Sequence, residues 1–260
     1  MLLAREGARV HVVDINAERV AEVVAEIARK GGSAVEHVAD CSDEAAVEKL
    51  AGEVLGEEGH VDVVHLNAGI GHAGRVEDIT LDEWRRVLDV NLWSVVLGIH
   101  AFVPAMLEKG NGHVVVTASG LGLIPLGGVA PYTTTKFALV GMAESLDGEL
   151  RSRGVRVTAL CPGVINTDII RASAFSGESE AERAQAATFF GRRGASPQRV
   201  ADDVVAAIRR PRTIVVSPRW HVLPLWVVHR IAPGTFVRLA GRIAGRLSIV
   251  PTSSSKDHAG

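Results

Sequence analysis

The sequence predicts an α/β protein in which a doubly wound parallel sheet carries helices on both faces. Short apolar runs rich in β-branched residues alternate along the chain with longer patterns of helical period. The apolar runs are nearly continuous, as expected of strands buried on both faces. Because right-handed crossovers place helices on both faces of such a sheet, we expect a single domain over residues 1–217.

The first strand is predicted at Arg9–Asp14, a β-branched run that ends in an acid. The first helix follows at Ala17–Lys30 and is closed by Gly31 and Gly32. Further strand–helix pairs are predicted at Ser33–Val38 and Asp43–Leu55, at Val61–Leu66 and Leu81–Leu107, and at His113–Thr117 and Tyr132–Leu150. A last strand at Val155–Leu160 precedes a long polar segment.

The composition excludes several classes of protein. The chain has 260 residues, of which 47% are hydrophobic and 22% charged, so it is neither disordered nor collagen-like. A net charge of −2 offers no basis for binding nucleic acid. Cys41 and Cys161 are far apart and the ten histidines show no ligand spacing, so we expect a reduced compartment and no metal site.

Signals for secretion or membrane insertion are not evident. The N-terminus has neither a charged region nor an apolar stretch long enough for a signal peptide. The apolar stretch Val222–Val228 is interrupted by Pro224 and is much shorter than the ~20 residues that a spanning helix needs. We therefore expect a cytoplasmic protein without a membrane-spanning helix.

Ligands of doubly wound sheets bind beyond the carboxyl ends of the strands, so acids at those positions are candidate binding residues. Asp14 ends the first strand, where a carboxylate can accept hydrogen bonds from both ribose hydroxyls of an adenosine and repel a 2′-phosphate. This favours NAD over NADP, although an acid at a helix N-terminus explains Asp14 equally well. Asp40 could meet the adenine edge, or Asp40 or Ser42 could cap the following helix.

Small residues follow the third strand in the segment Asn67-Ala68-Gly69. Residues 69–74 match the pattern G-x-G-x-x-G, but Val76–Thr80 separates the match from the next helix. A phosphate loop opens its helix at once, so we interpret the match as a coincidence. The small side chains would instead let the backbone approach a cofactor, while Asn67 braces the edge of the sheet.

The strongest pattern combines Ser119, just beyond a strand, with Tyr132 and Lys136. The last two lie one helical turn apart and hence on one face. A phenol has a pKa of ~10, and a nearby ammonium makes it a usable proton donor and acceptor near neutrality. Ser119 could hold a substrate oxygen beside the phenol. The alternative is a surface pair of Tyr132 and Lys136 that contributes a few tenths of a kcal/mol.

Together these residues resemble the short-chain dehydrogenase/reductase family over residues 1–217, with a Rossmann-like fold. The matching residues are Asp14, Asp40, Asn67, Ala68, Gly69, Asn91, Ser119, Tyr132, Lys136, Pro162, Gly163 and Thr167. The resemblance implies that Tyr132 exchanges a proton with an alcohol or ketone while Ser119 stabilises the substrate oxygen. It also implies that Lys136 binds the nicotinamide ribose and lowers the Tyr132 pKa, and that hydride moves to or from the nicotinamide.

Two further roles follow from the resemblance, each with a simpler alternative. Asn91 would hold a water in a proton relay, or it forms a hydrogen bond or kink inside its helix. Residues 162–167 would close over the nicotinamide amide with Thr167 as donor, or they form a plain Pro-Gly turn.

The family begins with a strand and a glycine-rich turn that this sequence does not show. That strand normally lies at the centre of the sheet, so without it the flanking strands would carry unpaired backbone groups. We therefore expect a sheet without its first strand and pyrophosphate loop, and Met1 is interpreted as an internal start or a truncated gene model. The rival hypothesis to an oxidoreductase is a catalytically silent subunit or a membrane-associated binding protein.

The last third of the sequence predicts a substrate lid and a basic tail. Apolar residues at positions 169, 170, 175, 189 and 190 and around Leu121–Leu126 favour a lipophilic substrate, or they only anchor a mobile loop. From Val204 to Lys256 there is no Asp or Glu. The basic residues there are Arg209, Arg210, Arg212, Arg219, Arg230, Arg238, Arg242, Arg246 and Lys256.

Residues 218–251 are predicted to form a basic amphipathic extension, and residues 252–260 a disordered tail. Arg238, Arg242 and Arg246 recur at a spacing of four, and Phe236, Leu239, Ile243 and Leu247 are expected on the opposite face. With Trp220 and Trp226 nearby, this pattern favours either an anionic membrane surface or simple cover for the protein's own core. The family resemblance also implies a homodimer or homotetramer formed through the helices at Leu81–Leu107 and Tyr132–Leu150.

Overall fold

The computed structural model describes residues 1–166, 174–176, 188 and 194–246. The strands are β1 (Arg9–Asp14), β2 (Ser33–Val38), β3 (Val63–Leu66), β4 (His72–Gly74), β5 (Gly112–Thr117), β6 (Val155–Pro162), β7 (Ala174–Ser176) and β8 (Ile214–Ser217). The α-helices are α1 (Leu2–Arg5), α2 (Ala17–Arg29), α3 (Glu44–Glu58), α4 (Leu81–Leu88), α5 (Ser94–Lys109), α6 (Ala130–Leu150), α7 (Pro197–Arg209), α8 (Arg219–Ile231) and α9 (Pro233–Arg246).

The strands pair only in parallel, as predicted for a doubly wound fold. Four strands form a sheet in the order β3-β5-β6-β8, and β1 pairs separately with β2 over the full length of both strands. A short pair, β4 with β7, lies apart from these. The carboxyl ends of β3, β5 and β6 therefore lie along one edge, which is where ligands of such sheets bind.

Strands β1 and β3 belong to separate sheets but pack against the same helices. Val13 of β1 and Val64 of β3 both contact the cluster formed by Leu50, Val54 and Phe102 on α3 and α5. Within the described ranges, β1 pairs only with β2 and β3 pairs only with β5, so each of the two strands has one edge that no described strand pairs.

The main core lies between the four-stranded sheet and helices α5 and α6. Val114, Val116 and Val157 point into this layer and are almost completely buried. On the opposite face, Val115 and Leu160 pack against Val204 of α7. Strands β5 and β6 are thus covered on both faces, which explains why their sequences are continuously apolar.

Helices α4 and α5 are joined by a π-helical turn at Asp89–Trp93 and run continuously from Leu81 to Lys109. This helix is long and apolar enough to cross a membrane by length and composition alone. A helix at Leu81–Leu107 was predicted from the sequence, but its suitability by length and composition for crossing a membrane was not. Because Val95, Phe102 and Met106 are buried against the sheet and neighbouring helices, its apolar character is accounted for by the core.

The C-terminal helices pack on the domain through one side of α8. Val222 is buried in the main core, and the ring of His229 contacts Phe236 of α9 edge-on. Phe236 is buried, whereas Leu239 on the same helix is 55% exposed, so the domain covers only part of the apolar surface of α9. For Ile243 only the backbone is described, and Leu247 and residues 252–260 lie outside the described residues.

Candidate active site

Ser119 lies just beyond the carboxyl end of β5, as the sequence predicts. Its side chain is buried, and its Oγ accepts a hydrogen bond from the Leu121 amide at 3.1 Å. The Ser119 side chain also lies close enough to the Tyr132 phenol to lower its pKa. A short side chain on a fixed turn thus positions one hydroxyl beside the only tyrosine in the chain.

Tyr132 and Lys136 lie on one face of α6, in the turn nearest the strand ends. The Nζ of Lys136 is 5.5 Å from the centroid of the Tyr132 ring and donates a hydrogen bond to the Thr117 carbonyl at 2.9 Å. Lys136 is only 3% exposed. The structure therefore brings the predicted serine, tyrosine and lysine together and excludes a surface pair.

Burial dominates the acid–base properties of this group. It raises the pKa of the Tyr132 phenol, and the nearby Ser119 side chain offsets this only in part. It also lowers the pKa of Lys136 to about 8. The family resemblance implied that Lys136 lowers the pKa of Tyr132. In this structure the shift goes the other way, because desolvation of the phenol outweighs the favourable contacts.

Asn91 sits in the π-helical turn and is completely buried. Its Oδ1 accepts from the Ile70 amide at 2.7 Å, and its Nδ2 donates to the Ile70 carbonyl at 2.9 Å and to Thr135 Oγ1 at 3.3 Å. Thr135 Oγ1 in turn donates to the Tyr132 carbonyl at 2.8 Å. Asn91 therefore ties the loop after β3 to the helix that carries Tyr132, and its water-holding role stays a prediction.

The small residues after β3 lie directly against the candidate site. A Cβ atom on Gly69 would lie 3.3 Å from Asn91 Oδ1 and 3.5 Å from Lys136 Nζ. Asn67 Oδ1 accepts from Thr117 Oγ1 at 2.9 Å, so Asn67 braces the ends of β3 and β5 as predicted. Residues 72–74 form β4 rather than opening a helix, which supports interpreting the glycine pattern as a coincidence.

The two candidate adenosine-binding acids lie at the ends of β1 and β2. Asp14 is exposed and its Oδ1 accepts from the Asn16 amide at 2.9 Å, while Asn16 itself caps α2. Hydrogen bonds from the hydroxyl and amide of Ser42 hold the pKa of the Asp40 carboxyl below its usual value. Neither Asp40 nor Ser42 caps α3, because Asp43 takes that position.

One wall of the site comes from α8, which the sequence analysis did not assign to it. A Cβ atom on Gly163 would lie 2.8 Å from the Cβ of His221, and one on Gly120 would lie 2.6 Å from Val222 Cγ2. The Gly163 amide also donates to the Ser217 carbonyl at 2.8 Å. Pro162 thus ends β6, and Gly163 directly after it packs against the start of α8.

Part of the predicted lid lies outside the described residues. This applies to Thr167, Ile169, Ile170, Phe189 and Phe190, and for Phe175 only the backbone in β7 is described. Ser176, also in β7, is buried and donates to Glu83 Oε1 at 2.7 Å. Its Oγ is also 3.0 Å from His72 Nε2, so the lid is anchored to β4 and α4 at this point.

Thr117 and Thr135 are the contacts that sequence reasoning missed. Thr117 supplies the carbonyl that holds Lys136, and Thr135 connects Asn91 to the backbone of Tyr132. Thr135 lies three residues after Tyr132, and this i, i+3 spacing was the one signal that could have indicated it.

A parallel α/β fold with a buried hydroxyl, a buried ammonium and a partly buried phenol at its strand ends is that of a Rossmann-like protein with a candidate acid–base site. The family model described as short chain dehydrogenase matches residues 1–176, and the chain belongs to this family.

Two curated relatives and one solved structure show the extent of the similarity. The Mycobacterium tuberculosis protein named Probable oxidoreductase EphD is 38% identical over 241 residues, covering 90% of this chain and 40% of that protein. The 1-deoxy-11-beta-hydroxypentalenate dehydrogenase of Streptomyces avermitilis is 41% identical over 172 residues, covering 65% of this chain and 64% of the relative. The chain therefore spans less than two thirds of the length of either relative.

A short chain dehydrogenase/reductase from Burkholderia phymatum, solved in complex with NAD, superimposes with a TM-score of 0.82. It is 25% identical, and the match covers 90% of this chain and 88% of that one. The doubly wound, Rossmann-like fold predicted from the sequence is thereby confirmed.

Proposed function

We propose that this protein is a nicotinamide-dependent oxidoreductase that interconverts an alcohol and a ketone or aldehyde. The observation that carries the proposal is the grouping of Ser119, Tyr132 and Lys136 at the end of β5, where Ser119 and Lys136 are buried and Tyr132 is partly buried. A phenol, a hydroxyl and an ammonium in one site suit proton transfer to and from a carbonyl oxygen. The pentalenate relative, whose name states dehydrogenation of a hydroxylated compound, supports this class of reaction.

The residues present fit one end of a dinucleotide better than its middle. Gly69 leaves space against Lys136 and Asn91 that a Cβ would fill, and Lys136 carries an ammonium suited to ribose hydroxyls. Asp14 and Asp40 stand at strand ends where an adenosine would lie. For the pyrophosphate between these two ends, the described ranges contain no glycine-rich turn beside β1 that opens a helix.

The bound nicotinamide would supply the hydride acceptor for alcohol oxidation or the donor for reduction. Tyr132 moves the proton at its phenolic oxygen, and because burial raises its pKa, the phenol is protonated at neutral pH and ready to donate. Ser119 orients the substrate oxygen beside that phenol. Lys136, with a pKa of about 8, remains largely charged at pH 7 and favours the phenolate that forms when the proton leaves.

Two finer features complete the proposal. The exposed carboxylate of Asp14 at the end of β1 favours NAD over NADP, because a 2′-phosphate would face it. Leu121, Ile124 and Leu126 follow Ser119 and are only partly buried, which favours a lipophilic substrate.

A homodimer or homotetramer through the long helices also remains a proposal. Leu81 and Trp93, on the helix that runs from Leu81 to Lys109, are 71% and 52% exposed, as expected of a surface that a second subunit covers. The Trp93→Asp variant should lower the molar mass measured by light scattering, and an unchanged mass would exclude this surface.

A second candidate is a catalytically silent subunit or a membrane-associated binding protein, since no glycine-rich pyrophosphate turn lies among the described residues. Calorimetric titration of the chain with NADH and with NADPH separates the two functions. Saturable binding, tighter for NADH, supports the oxidoreductase. Lack of binding by either nucleotide to a folded protein would instead support the silent subunit.

A further inference from the structure

Helix α8 presents an uninterrupted apolar stripe on its outer side. Trp220, Pro224, Val227, Val228 and Ile231 follow the spacing of one helical face and are all exposed. We call these five residues the α8 stripe. Trp220 is 65% and Ile231 80% exposed, so large apolar surfaces at both ends of the stripe face outward.

Helix α9 adds exposed apolar residues next in the chain. Val237 and Leu239 on that helix are 51% and 55% exposed and lie on different sides of it. An exposed apolar surface such as the α8 stripe marks an interaction site more often than a bare protein surface.

Basic groups border this apolar surface. Arg219 and Arg230 are exposed and lie three turns apart along one edge of α8, and Arg238 stands between the exposed apolar residues of α9. Two tryptophans are paired with guanidinium groups, Trp220 with Arg199 at 6.0 Å and Trp226 with Arg230 at 5.9 Å. The sequence from Val204 to Lys256 contains no acid. Arg199 is paired with Asp203 at 3.4 Å, whereas no carboxylate among the described residues pairs with Arg219, Arg230 or Arg238.

We propose that helices α8 and α9 dock the protein on an anionic lipid surface. The α8 stripe has a tryptophan at one end, and the arginines point from the helix axis at about a right angle to the stripe. This arrangement suits a helix that lies in the headgroup region of a membrane. A two-fold contact between copies of this chain fits less well, because it would bring Arg219 and Arg230 of the two copies together.

Docking would place the candidate active site beside the lipid. The inner side of α8 contacts the site, since His221 lies against Gly163 and Val222 against Gly120. A lipophilic alcohol or ketone could then reach the cleft from the membrane. This consequence rests on the proposed function, whereas docking itself requires neither cofactor nor substrate.

The test is cosedimentation of the full chain with phosphatidylcholine vesicles that contain or lack phosphatidylglycerol. The chain should bind only the anionic vesicles, with a blue shift of tryptophan emission that the Trp220→Phe variant reduces. Val228→Asp and Ile231→Asp should each lower the partition coefficient at least about tenfold. Arg230→Gln and Arg238→Gln should each lower it about fivefold, the effect of one cation near an anionic surface.

The control is Val76→Asp, which makes the same change at a 71% exposed position away from α8 and should bind like the parent. Failure of the parent to bind anionic vesicles overturns the proposal, as does undiminished binding by the stripe variants. If light scattering shows that Ile231→Asp converts a dimer to a monomer while the parent ignores vesicles, the stripe belongs to a second copy. Because no nucleotide is present, this result is independent of the oxidoreductase proposal.

Discussion

The turn that follows Ser119 lies directly on the backbone of the helix that carries Tyr132. A Cβ atom on Gly122 would lie 2.4 Å from the carbonyl oxygen of Lys136 and 2.9 Å from its carbonyl carbon. Backbone atoms cannot move aside as a flexible side chain can. The separation between Ser119 and Tyr132 therefore depends on position 122 having no side chain.

The Gly122→Ala variant should push this turn away from α6. We expect a loss of about 1–3 kcal/mol in the free energy of unfolding, because an added methyl group overpacks a filled contact. We also expect kcat to fall by about two orders of magnitude, as a displacement of about 1 Å in a catalytic group does. Denaturant unfolding and steady-state kinetics with the nicotinamide cofactor measure both effects.

Gly141→Ala on the same helix is the matched control. A Cβ there meets open space, so the change should stabilise the protein by about 0.5–1 kcal/mol and leave kcat unchanged. If Gly122→Ala behaves like Gly141→Ala, the turn does not set the position of Ser119.

Lys136 should give the protein a stability that increases with pH. Its pKa is about 8 in the folded protein and near 10.5 when exposed, so between these values the unfolded chain binds the additional proton. The cost of burying the charge is present in full below about pH 8 and disappears as the pH rises to about 10.5. The Lys136→Met variant should lack this increment, which is on the order of 3 kcal/mol.

Urea unfolding of the parent and of Lys136→Met from pH 7 to 10.5 measures the difference between the two stabilities. The difference should shift steadily in favour of the parent across that range. A constant difference would mean that the lysine titrates as an exposed group, contrary to its burial beside Tyr132.

Asp147 anchors the C-terminal end of α6, the helix that also carries Lys136. Burial raises the pKa of its carboxyl, but hydrogen bonds from Arg156, Thr213, the Val157 amide and Arg151 outweigh this and hold the pKa well below its usual range. The carboxylate thus stabilises the fold above its unfolded pKa of ~3.9, and this contribution is lost as the pH falls below that value.

The Asp147 carboxylate is buried, and removing it leaves the partly buried Arg156 guanidinium, the buried Val157 amide and the Thr213 hydroxyl without their shared partner. Asp147→Ala should therefore lower the free energy of unfolding at pH 7 by about 3–5 kcal/mol. Asp82→Ala removes an exposed carboxylate that pairs with Arg85, and it should cost less than about 0.5 kcal/mol. Equal losses in the two variants would show that Asp147 has no special structural role.

Local sequence patterns predicted the strands whose ends are marked by residues adjacent to them in the sequence. The bounds of β1 and β2 match the predicted runs residue for residue, because an acid ends β1 and a glycine pair directly precedes β2. Strand β8 was not predicted. Its four residues, Ile214–Ser217, are too short to be distinguished from other apolar segments without the edge of β6 beside them.

The candidate active site likewise contains residues that the sequence predicted and contacts that it did not. Tyr132 and Lys136 were predicted because helical geometry alone places them together. Two tertiary contacts were not predicted: that of Lys136 with the Thr117 carbonyl and that of Val222 with the turn at Gly120. Both depend on tertiary packing, and the first also depends on a backbone atom. The raised pKa of Tyr132 was likewise missed, since desolvation depends on everything packed around the phenol.

The most direct test compares the parent chain with Tyr132→Phe in nicotinamide-dependent oxidation of alicyclic secondary alcohols and reduction of the matching ketones, followed by absorbance of the reduced cofactor. The substitution removes only the hydroxyl, so the account predicts that turnover by the parent falls at least about a thousandfold while NADH affinity and thermal stability persist. Turnover by Tyr132→Phe at the parental rate would contradict it.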